Sequence, residues 1–526
     1  MASAFLAVGL PGAPAMAGCA SGNVAATSLL SDPACQADAS AAGATAIGPG
    51  AHASGAGAFA GGQSANAGTG SVAVGAIVTA SGLQSVAIGA LTTAWGAGAV
   101  AIGHASGATE VSSMALGDSA VASATYAAAI GAGALANAGN AAAFGNVAIA
   151  SGASSTALGD HATASATNAI AMGTNSVADA NGAAAIGNGA MATGLNSYAG
   201  GAGAAASGGF SVAIGGGDGG VGTLAAVATG NAATAIGVNS VAGGSSSAAL
   251  GDAATATGLG STALGFSAGA TADFTVAIGA NATASVSGSS ALGLNANASG
   301  AHSMAFGSAA SAVADNAAAI GANSTASGVS STALGNAASA TATNATAVGT
   351  GTTAGFANST AIGNGATTSA ANQVAIGTAS NTYRMSGVTS AASLAAQTGP
   401  TSFLTTDAAG NLAAAGFGAS DISGLQNSVS SLQSSFAALT DYAVNSRREA
   451  RQGIAAAFAL TSAPMPSAPG KLTYAVNSGF FKSETAGGIS FAYRFNTARP
   501  MAFNAGYAYG GGDSHGGRVG ISGELF

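Results

Sequence analysis

The stretch SVAIGALTTAWGAGAVAIGHASGATEVSSMALG, residues 85–117, decides how the rest of the chain is read. SVAIG, AVAIG and SMALG recur in it every fourteen residues, with scarcely a charge between them. Working outward by the closing glycine of each five-residue phrase, copies end at Gly48, Gly61 and Gly75, then every fourteenth residue to Gly215. After one gap of 22 the series resumes at Gly237 and runs to Gly377, giving 24 copies. Alanine holds the third position in 23 of them, Phe59 being the exception, and a larger apolar residue holds the fourth in 22, Ala60 and Gly200 being the exceptions.

Each phrase is too short for a helix, and its β-branched residues between glycines read as a strand. Fourteen residues leave room for a second short strand, such as one within HASGATEV (104–111), and for two turns. One such coil cannot bury an apolar side alone, whereas stacked coils can. The expected fold is therefore mainly β, a parallel roll of stacked coils. Twenty-four rungs ~4.8 Å apart would make a rod of roughly 115 Å. Alternation along the strand puts positions two and four on one face. Val86 and Ile88 are expected to point into the core and Ala87 outward. An outward alanine in copy after copy is either a flat surface for packing against identical chains or the consequence of a narrow coil.

Charge divides the chain. Only 5% of its 526 residues are charged, and all nine Lys and Arg lie from Arg384 onward. Residues 1–383 carry ten acidic groups and no basic one, so phosphate neutralisation, and with it nucleic acid as a partner, is excluded there. The first residues, through AFLAVGLPGAPAMA to Ala17, read as a partial signal peptide (1–17) lacking a basic start. An N-terminal segment (18–43) follows, in which Cys19 and Cys35 read as a disulfide pair, with lipid attachment at Cys19 as the alternative.

Beyond the head repeats (44–380) lies a connector (381–419), whose FLTTDAAGNLAAAGF (403–417) reads as a hairpin turning at Asp407–Asn411. The period then changes. Ile422, Leu425, Val429, Leu432, Phe436 and Leu439 step by three and four, a heptad seam that continues in small residues through Ser446, Ala450, Gly453 and Ala457 to Leu460. This predicts a coiled-coil stalk over 420–460. Large Ile and Leu core residues of this kind favour parallel dimers in isolation, so a trimer would need its number set elsewhere.

Residues 461–526 hold four stretches with strand alternation, 472–481, 488–496, 501–510 and 518–526. Ile489, Phe491, Tyr493 and Phe495 share one face, as do Phe503 and Tyr507. Their length and pattern suit outer-membrane strands facing lipid. Four strands cannot close a barrel, and an open edge in lipid leaves backbone groups unpaired, so several chains would have to share one. Three chains give twelve strands. The last residue, Phe526, falls on the face opposite Val519, Ile521 and Leu525 unless a bulge near Gly523 intervenes.

The repeated SVAIG phrase resembles the head of the YadA-like trimeric autotransporter adhesins. RQGIAAAFAL (451–460), PGK (469–471) and FKSETAGG (481–488) resemble the same family's membrane anchor. The resemblance implies a left-handed roll, a homotrimer, a twelve-stranded barrel shared by three chains, and a location at the surface of a Gram-negative outer membrane reached through its barrel-assembly machinery. It also implies adhesion to extracellular-matrix proteins, notably collagen, or to abiotic surfaces or other cells. The family's N-S-V-A-I-G motif is matched only partly, by QSVAIG (84–89), FSVAIG (210–215) and NSTAIG (358–363), and the connector departs from the family's neck.

Catalysis is not expected. His52, His104, His161, His302 and His515 are scattered, Asp118, Asp160 and Asp252 follow repeat glycines as turn residues, and no nucleophile, base and orienting group assemble, so no cofactor or metal is expected. GGGDGGVGT (215–223) fills the long gap and reads as an exposed loop, and Trp95 is open between packing and binding. Two further readings stand beside an adhesin: a structural fibre or spacer without a ligand, and a flat solenoid binding ice or another regular lattice. The last needs an ordered Thr row, against which position two varies among Val, Ala, Thr and Met.

Overall fold

The computed structural model describes residues 37–217, 224–399 and 401–525, so the signal-like start, Cys19, Cys35 and Phe526 lie outside the described residues. The chain divides into two compact units, 1–382 and 383–526.

The first unit is a parallel β-roll made of two ladders. The first has 24 three-residue strands, from Thr45–Ile47 to Val374–Ile376. The second is made of two-residue strands, from His52–Ala53 to Thr353–Ala354. Each strand pairs in register with the next coil, Val86 with Val100, Ala87 with Ala101 and Ile88 with Ile102. The long gap does not break the stack. Val212 pairs with Thr234 and Ala205 with Val227, while residues 218–223 of the stretch read as an exposed loop lie outside the described residues.

The facing of the repeat is the reverse of the expectation. Ala87 is fully buried, while Val86 is half-buried and Ile88 exposed. Ser85 is buried beside Ala87, and in the same coil Ala94 on the second strand and Thr92 just before it are buried. The physical reason is volume. One short strand on each side of a narrow coil leaves little room, filled by alanine, serine and threonine with Val78 the largest buried side chain, so alanine fits inside and most β-branched residues stand outside, where strands accept them well. The narrow-coil account of the alanine row is therefore the right one. Alternation correctly paired positions two and four, but size decided which pair is inside.

The register also removes an irregularity. Phe59 pairs with Thr45, Ala60 with Ala46 and Gly61 with Ile47, so this copy closes on Gly62 and its central residue is Ala60. Alanine thus holds the central position in all 24 strands, and Phe59 sits at an outward position that tolerates its bulk. The closing glycine is required twice over. Gly89 has φ +138°, and a Cβ there would overlap the carbonyl oxygen of Gly103 in the next coil. The remaining turns use left-handed residues at seven-residue intervals, including Gln84, Leu91, Ala105, Ser112 and Ser119. The residue opening N-S-V-A-I-G-type phrases is one of these: Gln84, Phe210 and Asn358 all have φ near +60° (59°, 58° and 56°). Asparagine suits that conformation, and Asn344, Asn358 and Asn372 hydrogen-bond in a column, 2.9 and 3.1 Å apart.

In the second unit a short helix, Ala391–Ala396, starts at Ser390, whose hydroxyl accepts from the Ser393 amide at 3.0 Å. A hairpin follows, Ser402–Thr406 against Leu412–Gly418. Asp407 builds its turn by accepting from the amides of Ala409 and Asn411, each at 2.9 Å, and from Asn411 Nδ2 at 2.8 Å. These bonds, with the Asn411 side chain foremost, hold the Asp407 carboxyl below the usual range. A 41-residue helix runs from Ala419 to Ala459, and Asp421 in its first turn accepts from the Gly418 amide at 2.6 Å.

The chain ends in a four-stranded antiparallel sheet: Leu472–Phe481, Glu484–Arg494, Met501–Tyr509 and His515–Gly523. The third strand ends one residue short of the expected 501–510, and two strands differ by more. The second begins at Glu484 and ends at Arg494 rather than spanning 488–496, and the fourth is His515–Gly523 rather than 518–526. Gly479, Gly488 and Gly510 lie under the long helix, and a Cβ on them would overlap the carbonyl oxygens of Ala455, Ala459 and Gln452 in turn. Ala455, Ala456 and Ala459 are buried on the helix side of this contact.

Candidate assembly and adhesive surfaces

Among the described residues no group of three or more His, Cys, Asp or Glu is placed to hold a metal. Three of the histidines instead pair with single carboxylates on the exposed surface: His52 with Asp38 at 2.8 Å, His104 with Asp118 at 2.9 Å, and His161 with Asp160 at 3.0 Å. Asp160 also accepts from Asn146 Nδ2 at 2.9 Å, one coil away, and that bond first, then His161, lowers its pKa. At such exposed sites ion pairs contribute little to stability. His515 instead lies in the last strand, its ring 6.0 Å from that of Tyr507.

The roll offers two different outward faces. On the first ladder the residue after the buried alanine forms an apolar row, with Ile88, Ile102, Leu158, Ile186, Ile214 and Leu264 among its exposed members, while the residue before it forms a mixed row that includes Val86, Val100, Thr156, Thr332 and Thr346. Because the strands are in register, like side chains stack rung upon rung and the rows are continuous. A contiguous apolar stripe of this length marks an interaction surface. The second ladder has one outward residue per two-residue strand, and its character changes along the roll. Val121, Leu135, Ile149 and Val177, with Thr163 among them, give way to Thr255, Thr283, Thr325 and Thr353. Trp95 follows the strand Thr93–Ala94 and is 57% exposed, so its ring is not a packing element of this chain.

In the second unit Ile422, Leu425, Val429, Leu432, Phe436 and Leu439 are all exposed along the helix. The small residues that continue this seam, Ser446, Ala450, Gly453 and Ala457, are exposed as well, while Gln452, Ala455, Ala456 and Ala459 are buried. Leu460, half-buried, caps the helix end. The helix therefore has one face against its own sheet and another without a partner in this chain. On the sheet, Ile489, Phe491, Tyr493, Phe503 and Tyr507 are exposed on the side away from the helix, and Ala492, Ala502 and Ala508 are buried on the other. Phe495 lies past the strand end, half-buried, with its ring edge-on to Tyr493 at 5.9 Å. Leu472, Tyr474, Val476 and Phe480 extend the apolar face onto the first strand. Sequence reading did not assign them, although the alternation in LTYAVNSGFF carried the signal.

The two edge strands, Leu472–Phe481 and His515–Gly523, each pair on one side only among the described residues. No helix among them is long and apolar enough to cross a membrane, which leaves open crossing by strands.

Comparison with known proteins points one way. The profile of the YadA head domain repeat (two copies) matches eight stretches, residues 39–65, 80–106, 108–134, 164–190, 242–268, 270–296, 298–324 and 326–352. Among solved structures, the collagen-binding domain of the Yersinia adhesin YadA is 26% identical over 35% of this chain and 74% of its own, with a TM-score of 0.17. That superposition adds no argument, and no curated protein matches. Eight stretches of this head repeat thus lie in one roll whose coils continue through the gaps between them, and the first unit of the chain is similar to the head of the YadA-type adhesins.

Proposed function

We propose that the protein is a homotrimeric cell-surface adhesin whose head is held away from the cell by the helical stalk and whose C-terminal strands anchor it in a Gram-negative outer membrane. The observation that carries the reading is the last sheet. It has four strands, an outward face of aromatic and aliphatic residues, a helix against its inner face and two unpaired edges. Such edges in lipid cost several kcal/mol for each unpaired group, and joining the sheets of three chains into twelve strands removes them. The exposed heptad residues and the apolar row of the head are then the surfaces along which three chains pack. Ile489, Phe491, Tyr493, Phe503 and Tyr507 face lipid, and Phe495 sits at the rim of the barrel. The domain limits follow the sequence reading: head 44–380, connector 381–419, stalk and lumen helix 420–460, and anchor 461–526. Folding into the membrane then requires the outer-membrane barrel-assembly machinery.

Matrix proteins, abiotic surfaces and neighbouring cells are the partners of an extended, repetitive head, which gains avidity through its many copies. A spacer without a ligand is the second reading, favoured by the absence of any basic side chain before Arg384. Mass determination of the unheated full-length protein, extracted from an outer membrane in mild detergent, is expected to give a trimer. A monomer refutes the shared barrel. Cells displaying the trimer but adhering no better than bare cells to matrix, to plastic or to each other leave the spacer reading.

A further inference from the structure

The position that varies among Val, Ala, Thr and Met belongs to the first ladder, and an ordered hydroxyl row is found on the second. Thr255, Thr283, Ser311, Thr325, Ser339 and Thr353 occupy successive outward positions there, interrupted only by Gly269 and Asn297. The residue two further on is also Thr or Ser in most of these coils, beginning with Thr257, Thr271 and Ser285. The hydroxyls of Thr283, Thr325 and Thr353 have no partner within the chain among the described residues, since the strand amides bond along the ladder. From Val121 to Val177 the same ladder is mainly aliphatic, with Thr163 its single hydroxyl, so the dense hydroxyl block is a property of one part of the face and not of the fold. The block carries no cation. Its two acidic residues, Asp273 and Asp315, accept from the amides of Leu259 at 2.8 Å and Ala301 at 2.9 Å.

We propose that this hydroxyl face binds a neutral, extended polysaccharide. The inference deepens the adhesin reading and rests on it, with the second ladder turned to solvent and the apolar first ladder taken up in packing. Hydroxyls recur about every 4.8 Å along the roll and about 7 Å across it. One rung is about the length of one sugar ring in an extended chain, so successive sugars meet successive rungs. Hydroxyls on both sides donate and accept, which lets a polyhydroxylated chain pair without a fixed direction. A polyanion meets no Lys or Arg, and an apolar partner meets no apolar row, so the chemistry selects against both. Each hydroxyl bond is weak in water, and the array supplies the number.

The test uses cells displaying the full-length chain, mixed with cellulose particles, with chitin particles and with ice. The reference protein is expected to retain cells on at least one of the two polysaccharides. The combined variant Thr283→Val, Thr325→Val, Thr353→Val keeps the branched shape and removes three hydroxyls, and is expected to lower retention about tenfold or more. Adhesion to matrix-coated plastic and the unheated trimer are expected to persist in that variant, which separates failure of this inference from failure of the adhesin reading. The same change on the first ladder, Thr156→Val, Thr332→Val, Thr346→Val, is expected to leave retention intact. Absence of retention on both polysaccharides, retention by ice alone, or equal retention by the two variants overturns the proposal.

Discussion

Replacing Ala256 by isoleucine tests the inverted facing of the repeat directly. Ala256 is fully buried, and its in-register neighbours Ala242 and Ala270 are buried too. Three added carbons therefore have nowhere to go along the roll or across it. Overpacking of a filled core costs about 1–3 kcal/mol. The adjacent Thr255 is half-exposed on the outer surface, and Thr255→Ile there is expected to cost less than about 0.5 kcal/mol. Contacts in a solenoid are nearest-neighbour, so the damage should stay local rather than move the whole melt. Hydrogen exchange of the full chain is the suitable assay. One to three kcal/mol corresponds to about 5- to 150-fold faster exchange in the coils holding residues 254–256 and 268–270, when exchange goes through local opening. Coils far along the roll should not change. Equal exchange in the two variants, or faster exchange in Thr255→Ile, would refute the account of the small-residue interior.

Three further outcomes follow from the same geometry. Gly488→Val places a side chain against the Ala459 carbonyl, so it should abolish the heat-resistant oligomer in detergent, whereas Gly487→Val, with open space at its Cβ, should preserve it. Val147 is β-branched at φ +53°; Val147→Asn should relieve part of about 1 kcal/mol of backbone strain and slow exchange in its coil, and faster exchange would count against the strain. The Asp407 carboxyl is lowered by its turn hydrogen bonds. The hairpin should therefore be fully protected above the unfolded carboxyl value of about 3.9 and lose protection as pH falls through the lower folded value. Pepsin cleavage between Phe403 and Phe417 as a function of pH reads this, and Asp407→Asn should remove the dependence.

Much of the architecture was legible because repetition leaves few alternatives. Fourteen-residue spacing required stacked coils, the change to a three-four period required a helix, and alternation in 472–509 required strands. Alternation was silent on facing, since Val86–Ile88 reads the same with either face inward, and a hydrophobicity argument chose the larger side chains. The strand starts at Glu484 and His515 were missed because local alternation does not carry the cross-strand pairing that extends them, Glu484 with Phe481 and His515 with Tyr509, and the role of Gly479 and Gly488 in admitting the helix depends on residues distant in sequence.

The sequence by itself determined the period, the two-part organisation and the absence of cations from residues 1–383, because these are one-dimensional properties of the chain. It determined as well that something must cover Ile422 to Leu439, since a heptad seam has no other stable use. Tertiary structure decided what depends on space. The narrow space between the two ladders is filled by alanine, serine and threonine, with Val78 the one larger aliphatic side chain buried in the roll, and this turns most of the larger apolar residues outward. In-register stacking aligns Thr283, Thr325 and Thr353, separated by 28 to 42 residues in the chain, on one face where their hydroxyls can act together.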